Sequence, residues 1–206
     1  MYAPPAFVEA RTDVLYDLIR RHPLGLLITA GAGGLVANPL PFQLVTEGDG
    51  AVLRVHLSRA NPQLADLDGA DCLAVFQGPH AYVSPSWYAT KQETGKVVPT
   101  WNYMIVQARG RARRIDDAAW LRAQVEALTQ AREQGAAEPW SVDDAPADFV
   151  AAQLRGIVGV EIPVTQMDGK WKLSQNRAER DREGVVAGLA ARGDADLAAA
   201  MAALTS

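Results

Sequence analysis

The sequence predicts a mainly β protein of the α+β class, in which a small β-barrel is decorated with helices. Several segments alternate apolar and polar residues with the period of a strand. Turn residues separate these segments at hairpin spacing, and segments with helical spacing lie between them and at both ends. At 206 residues the chain is long enough for one sizeable core, so a single domain over 1–206 is expected, with C-terminal helices from about 178.

The first half of the chain begins with a helix and continues as hairpins. Helical apolar spacing after a Thr-Asp cap, and alternation around the glycine run at 31–34, define these elements. The predicted elements are a helix at Arg11–Arg21, strands at Leu24–Ala30 and Leu35–Val45, a turn at Glu47–Gly50, a strand ending in Arg54–Ser58 and a short helix at Gln63–Leu67.

The second half predicts longer strands and four helices. The predicted elements are a central strand at Cys72–Gln77 ended by Gly78-Pro79, a loop at Ala89–Pro99, a strand at Trp101–Ile115, helices at Asp116–Glu133 and Ala147–Leu154, a strand at Gly156–Met167, a hairpin turn at Asp168-Gly169, a strand at Lys170–Ser174, and helices at Ala178–Ala191 and Asp194–Leu204.

The composition and charge pattern of the chain argue against several functional classes. The formal charge of −4 gives no general attraction to nucleic acid or to an anionic membrane. No stretch has the pattern of a signal peptide or a membrane span, so a cytoplasmic protein is expected. The single Cys72 lies in an apolar run and is expected to be a buried thiol, and three widely spaced histidines predict no metal site. No catalytic side-chain constellation is recognisable.

One polar stretch, Arg54–Pro62, combines a strand with features that suit an anion. Strand geometry places Arg54, His56 and Ser58 on one face. Ser58 and Arg59 then offer a hydroxyl and a planar fork for a phosphate. Asn61 before Pro62 predicts a helix N-cap. The alternative is a strand with a solvated face followed by an ordinary capped turn.

A second cluster follows Lys170. On a strand, Lys170, Lys172 and Ser174 share one face and can approach an anion together. The alternative is a solvated strand end. Two aromatic segments, at 80–88 and 98–103, add hydroxyls, carboxamides and flat rings. Together these groups are what an aromatic phosphorylated cofactor requires.

The order of these motifs resembles the PaiB family, the FMN-binding negative transcriptional regulators. The resemblance runs from Met1 to about Gly188 and rests on MYAPPAF, HLSRANPQ, FQGPHAYVSPSWY, VPTWNY, IVGVEI and KWKLSQNRAERDREGV. It implies a split β-barrel of the pyridoxamine-phosphate-oxidase and flavin-reductase type, and a homodimer with FMN at the subunit interface.

The resemblance also implies which residues hold FMN. Many relatives carry a histidine before the Leu-Pro pair at 40–41, where this chain has Pro39, so that histidine has no counterpart here. The positions that match the cofactor-binding motifs are His56, Ser58, Arg59, Asn61, Trp101, Asn102, Tyr103, Lys172, Ser174, Gln175 and Asn176.

Two functions follow from this resemblance. One is a regulator in which flavin state or occupancy alters a partner interaction. The other is an FMN-dependent oxidoreductase, or a relative that handles haem. DNA binding has little support: the best cationic patch, at Arg109, Arg111, Arg113 and Arg114, is better explained as a solvated or carboxylate-paired strand edge.

Overall fold

The computed structural model describes residues 1–48 and 50–204, and these residues form nine strands and six α-helices. Short 3-10 turns at Pro5–Phe7, Pro62–Asp66, Pro85–Trp87 and Val142–Asp144 lie between them. In chain order the elements are β1 Val8–Glu9, α1 Thr12–Arg21, β2 Leu24–Gly31, β3 Gly34–Pro41, β4 Gln43–Glu47, β5 Gly50–Ser58, β6 Asp71–Val83, α2 Ala89–Thr94, β7 Thr100–Arg111, β8 Arg113–Ile115, α3 Ala118–Glu133, α4 Ala147–Arg155, β9 Ile157–Lys172, α5 Glu179–Arg192 and α6 Ala195–Ala202.

The strands follow the order β3-β2-β6-β7-β9-β5-β4, and β1 and β8 also pair with β9. The chain divides into two compact units. Unit 1 contains Met1–Leu18, Gln77–Gln107 and the chain from Asp168 onward, and unit 2 contains Ile19–Phe76 and Ala108–Met167. The expectation of a single domain stays a prediction. Within the described residues, no helix is both long and apolar enough to cross a membrane.

Unit 2 has two antiparallel strand groups. The hairpin of β2 and β3 pairs β6 through Leu26–Val75 and Ile28–Leu73, and β9 lies between β5 and β8 at Val160 and Gly159. The predicted alternation of β5 is confirmed, because Val55 and Leu57 are buried while the polar side chains between them are not. Asp117 caps α3 by accepting a hydrogen bond from the Trp120 backbone at 2.7 Å, as the sequence predicts.

Unit 1 joins the first strand, the aromatic segment and the C-terminal helices. The predicted pair of helices is confirmed as α5 and α6, with a left-handed Gly193 between them. Their apolar side chains, including Val185, Leu189 and Met201, are buried. A Cβ at Gly188 would lie 2.3 Å from Trp87, so glycine lets the indole ring lie directly against α5.

The predicted hairpin at Asp168-Gly169 is wrong. β9 continues through both residues, and β1 pairs with it at Val8–Lys170 and Glu9–Gly169. A Cβ at Gly169 would lie 2.3 Å from a Leu15 methyl and 2.6 Å from the Glu9 carbonyl oxygen. Glycine therefore permits a close approach between segments at this position, and a turn is not formed.

The predicted end of the central strand at Gly78-Pro79 is also wrong, because β6 runs on to Val83. The pairing of β6 with β2 covers Cys72–Val75, so Pro79 lies outside that hydrogen-bond ladder. A Cβ at Gly78 would lie 2.9 Å from a Leu18 methyl, which gives this glycine a packing role.

Three further boundaries differ from the sequence prediction. The strand expected at 35–45 is broken at the buried Phe42, whose N–H donates to the Pro23 carbonyl at 2.8 Å. The strand expected at 101–115 is broken at the buried Ala112, and the loop expected at 89–99 contains α2. The short helix after Asn61 is a 3-10 turn. The turn predicted at Glu47–Gly50 includes Asp49, which lies outside the described residues.

Candidate cofactor site

A cavity of about 160 Å³ in unit 1 brings together four of the predicted residues. Its lining consists of Phe7, Tyr88, Val98, Pro99, Thr100, Asn102, Lys172, Ser174, Asn176 and Arg177. The start of β7 provides Thr100 and Asn102, and the end of β9 with the bend after it provides the residues from Lys172 onward. The cavity therefore collects hydroxyl, carboxamide and cationic groups from segments that are far apart in sequence.

Asn102 and Ser174 form the buried polar side of this cavity. The Asn102 side-chain nitrogen donates to the Ser174 hydroxyl at 3.0 Å, and Asn102 has no exposed surface. The Met201 sulfur, from α6, lies 3.3 Å from the same nitrogen. Ser174 has a positive φ of 64°, a conformation that costs an L-residue about 1–2 kcal/mol. Such strain is retained where surrounding contacts determine it, and functional sites are common places for it.

Lys172 is the cation at the end of β9. Its ammonium donates to the Thr100 hydroxyl and, at 2.6 Å, to the Trp101 carbonyl oxygen. Burial lowers the pKa of Lys172, and the positive charges of Lys170 and Arg177 lower it further. Among the described residues, no carboxylate lies within ion-pair distance of Lys172. The cavity thus has a surplus of positive charge, which favours an anionic ligand.

Tyr88 and Arg177 are lining residues that the sequence analysis did not select. The Arg177 guanidinium lies 5.1 Å from the centre of the Tyr88 ring, within the range of a cation–π contact. Burial raises the pKa of the Tyr88 phenol, and the positive charge of Arg177 partly offsets this rise. Both residues fall inside motifs quoted above, Tyr88 at the end of FQGPHAYVSPSWY and Arg177 directly after KLSQN. Only the folded chain shows that they meet.

Gln175 supports the cavity from outside its lining. Its side-chain carbonyl accepts from the Leu173 N–H at 2.7 Å, and its side-chain nitrogen donates to the Trp171 carbonyl at 2.5 Å. These two bonds tie the end of β9 to the bend that carries Ser174 and Asn176. Gln175 therefore positions the lining residues.

Trp101 and Tyr103 point away from the cavity, because neighbouring residues of a strand face opposite sides. Trp101 is 54% exposed and packs edge-to-face with His80 and Tyr82, at ring distances of 5.9 and 6.3 Å. Tyr103 lies beside the Lys170 ammonium, 5.4 Å from it. These residues form an outer aromatic face on β6 and β7, distinct from the cavity that contains Asn102.

The other predicted residues, His56, Ser58, Arg59 and Asn61, belong to unit 2 and make local contacts there. His56 Nδ1 lies 2.8 Å from the side-chain oxygen of the buried Gln124. The Ser58 hydroxyl accepts from the Ala60 N–H, and Asn61 caps the 3-10 turn by accepting from the Gln63 N–H at 2.9 Å. The predicted N-cap is confirmed.

Arg59 uses its guanidinium within unit 2. It donates to the Arg155 carbonyl at 3.1 Å and to the Ile157 carbonyl at 3.0 Å, and it pairs with Asp116 at 2.7 Å. The pKa of Asp116 is lowered by its hydrogen bonds from Arg114 and Arg59. In one protomer Arg59 thus joins the end of α4, the start of β9 and the segment before α3.

The arginine row is largely committed to partners in unit 2. Arg113 pairs with the buried Glu161, Arg114 pairs with Asp116 at 2.7 Å, and Arg111 donates to the Gly69 carbonyl. The carboxylate-paired strand edge that the sequence analysis left open describes Arg113 and Arg114. Cys72 is buried as predicted, and burial raises the pKa of its thiol to about 11.

The cavity fits the phosphate end of a flavin mononucleotide. A charged amine, a guanidinium and neutral donors around one space match a phosphate, because charge-assisted hydrogen bonds are the strong ones. A volume of about 160 Å³ is below the roughly 300–1,000 Å³ of pockets that enclose a whole drug-sized ligand. A cavity of this volume would hold only part of an FMN molecule.

Comparison of the fold with solved structures gives the class. The flavocytochrome Anf3 from Azotobacter vinelandii matches with a TM-score of 0.62 at 16% identity, over 86% of this chain and 75% of that one. The FAD and heme binding protein from Mycobacterium smegmatis matches with a TM-score of 0.61 at 20% identity, over 84% and 78% of the two chains. The fold is therefore the mainly β, helix-decorated split barrel of flavin-binding proteins, and the predicted fold class is confirmed.

Sequence comparison gives the family. Residues 1–166 match the family model described as "Putative FMN-binding domain". An uncharacterised protein of Emericella nidulans is 36% identical over 225 residues, covering 91% of this chain and 90% of that protein. The protease synthase and sporulation protein PAI 2 of Bacillus subtilis is 30% identical over 187 residues, covering 90% and 87%. The chain belongs to the PaiB family of FMN-binding proteins, and its cofactor is FMN.

Proposed function

We propose that this protein is an FMN-binding negative regulator of transcription, which works in the cytoplasm as a homodimer with FMN at the subunit interface. The observation that carries the proposal is the unit 1 cavity, where Lys172 and Arg177 face one space without a carboxylate to neutralise Lys172. The name of the Bacillus subtilis relative connects that protein with protease synthesis and sporulation. That connection supports a regulatory role.

The residues of the chain would bind and orient the cofactor. Lys172 and Arg177 supply charge to the phosphate, while Asn102, Ser174 and Asn176 supply directional hydrogen bonds. When bound, FMN supplies a flat ring that accepts or donates electrons. Its redox state or its presence would then alter a contact with a regulatory partner.

The outer aromatic face supports the dimer. Asn102 faces the cavity, whereas Trp101 and Tyr103 face the opposite side of the same strand. A second subunit would allow one FMN molecule to contact both sets. We therefore assign Trp101 and Tyr103, together with the unit 2 set of His56, Ser58, Arg59 and Asn61, to contacts with the cofactor that are completed in the dimer.

The charge distribution on the surface agrees better with regulation through a protein partner than with direct DNA binding. Neutralising DNA phosphates requires free cations on one face, but three of the four arginines in the row have partners in unit 2. The apolar residues of α5 and α6 are buried, which suits bundle packing more than a recognition helix.

An FMN-dependent oxidoreductase is the second candidate, and a haem-handling protein is a variant of it. The pairing of the arginine row favours this candidate over a direct DNA-binding protein, because catalysis with FMN needs no cationic stripe. The two fold neighbours named above carry flavin together with haem or cytochrome in their names. Their low identity restricts the likeness to the fold.

Four measurements separate these functions: they test cofactor binding, direct DNA binding, turnover, and transcription of a reporter in vivo. Flavin absorbance bands in the purified protein, followed by an FMN titration, test the cofactor site. A gel-shift series with operator DNA at several salt concentrations tests direct DNA binding, and NAD(P)H oxidation tests turnover. The regulator predicts FMN binding with negligible NAD(P)H oxidation. Flavin-dependent turnover without any effect on transcription of a reporter in vivo would favour the oxidoreductase.

A further inference from the structure

Unit 2 carries an apolar face on strands β3, β2 and β6, which we define by Leu26, Ile28, Leu35, Pro39, Leu73 and Val75. The strand register places them together: Leu26 is opposite Pro39 on one side and Val75 on the other, and Ile28 is opposite Leu73. Opposite residues of paired strands lie on the same face of a sheet. The neighbouring Leu24 extends the face toward the start of β2.

This apolar face is accessible in the protomer. Leu35 is 80% exposed, Leu24 is 68% exposed and Leu26 is 42% exposed. The side chains of Leu27 and Thr29, which point to the other side of β2, are buried. The sheet therefore packs on one side and presents large aliphatic side chains on the other. A contiguous exposed apolar patch marks an interaction site more often than a random feature.

A groove of about 680 Å³ runs along the edge of the apolar face. Ile28, Leu35 and Leu73 provide aliphatic lining, and Asp71 and Arg109 stand beside them. Among the described residues, the side chains of Asp71 and Arg109 make no hydrogen bond or ion pair, and both are exposed. An unpartnered cation and an unpartnered anion thus border one apolar surface.

We propose that the occupant of this face is a second copy of the chain, with Asp71 of each copy paired to Arg109 of the other. This inference deepens the homodimer of the proposed function and rests on it, because it names the surface through which the subunits meet. A two-fold contact uses the same patch on both subunits, so the patch must complement itself. One positive and one negative group beside a shared apolar surface satisfy that condition.

The composition of the face distinguishes a protein partner from a small ligand. Its members are aliphatic, spread over three strands, and reach beyond the groove to Leu24 and Pro39. A flat anionic ligand would bring the Asp71 carboxylate next to its own charge, which costs binding energy. A copy of the chain brings an arginine to that carboxylate.

Charge exchange tests the proposal. In a two-fold dimer the pair of residues 71 and 109 occurs twice. Asp71→Arg places two positive charges opposite each other at both pairs, and Arg109→Asp places two negative charges there. Each variant should raise the dimer dissociation constant at least about 100-fold, since like charges at an interface act against association. Mixing the two variants restores both pairs, so the mixture should form heterodimers of near wild-type affinity. Mass is read by analytical ultracentrifugation over a concentration series.

Controls distinguish the existence of the homodimer from the identity of its interface. Glu138→Arg and Lys96→Asp change charge equally at exposed positions whose side chains make no hydrogen bond or ion pair in the described chain, and they should leave the mass unchanged. Leu35→Lys should weaken the dimer by disrupting the apolar contact, although the Asp71 and Arg109 pairs remain. A wild-type protein that is monomeric throughout would reject the homodimer itself. A wild-type dimer whose dissociation constant is unchanged by all three variants of the face would reject this face alone.

Discussion

Replacing Lys172 by methionine tests the cofactor cavity most directly. The ammonium group has three donors, and two of them are used by Thr100 and by the Trp101 carbonyl. One donor remains for a ligand in the cavity. Methionine keeps a similar length and removes the donor with its charge.

The size of the effect follows from the bond that is lost. A charge-assisted hydrogen bond contributes about 1.5–3 kcal/mol, which corresponds to a roughly 10- to 160-fold rise in the FMN dissociation constant. The pKa of Lys172 is lowered by burial and by its cationic neighbours, so its charge is unfavourable in the folded protein without a ligand. Between the lowered folded pKa of Lys172 and its unfolded value of 10.5, the unfolded state binds more protons than the folded state. The free energy of unfolding of the wild type should therefore rise with pH across this range. Lys172→Met should not show this rise.

The assay is a fluorescence titration of apoprotein with FMN, with thermal melts to verify folding. Lys170→Met is the matched control: it removes the same charge from the same strand, but Lys170 contacts Tyr2 and Tyr103 and does not line the cavity. Screening in salt should limit its effect to about threefold. An unchanged FMN affinity for Lys172→Met would refute the cavity as the phosphate site. Equal losses of FMN affinity in both variants would show that only the overall positive charge of the region matters.

Three other predictions address the scaffold and the second set of site residues. Glu161→Gln should lower the free energy of unfolding by about 1.5–3 kcal/mol, or Tm by roughly 3–12 °C, because the carboxylate accepts from Arg54, Arg113 and Trp120. Burial raises the pKa of Glu161, but the hydrogen bonds from these donors outweigh burial and give a net lowering of the pKa. The wild type should therefore lose stability as the pH falls below 4.5. Calorimetry should show a smaller loss for the variant. Gly169→Ala should destabilise by about 1–3 kcal/mol in denaturant unfolding, and an unaffected midpoint would contradict the close approach of β1 to β9. Arg59→Ala should weaken FMN about 10- to 160-fold in titration and also lower Tm, since its carbonyl and Asp116 contacts are lost; a change in Tm alone would assign it to the scaffold.

Local patterns predicted most of the elements, because alternation and capping act over a few residues. The buried Val55 and Leu57, the Asp117 cap and the two C-terminal helices all follow from neighbouring sequence. The Asp-Gly pair at 168–169 failed for the opposite reason. Its turn preference is local, but the space around Gly169 is set by Leu15 and Glu9, which lie far away in the chain.

The candidate site was predictable only in part. The resemblance to a family selected Asn102, Lys172, Ser174 and Asn176, and the cavity brings these together. Asn102 and Ser174 are 72 positions apart, so no spacing rule links them. Tyr88 and Arg177 escaped selection because a lone aromatic and a lone cation are usually surface or core residues, and their contact across the cavity exists only after folding.

The contact between Asn102 and Met201 places helix α6 directly behind the proposed cofactor cavity. The family match ends at residue 166, and a protein shortened to that boundary would lack Lys172, Ser174 and Arg177 as well as the helix that backs Asn102. It would also uncover Trp87, whose backbone carbonyl lies against Gly184 and whose ring lies against Gly188. Fusion tags, truncations and interaction screens should therefore retain the alanine-rich tail, because it backs the proposed cofactor cavity.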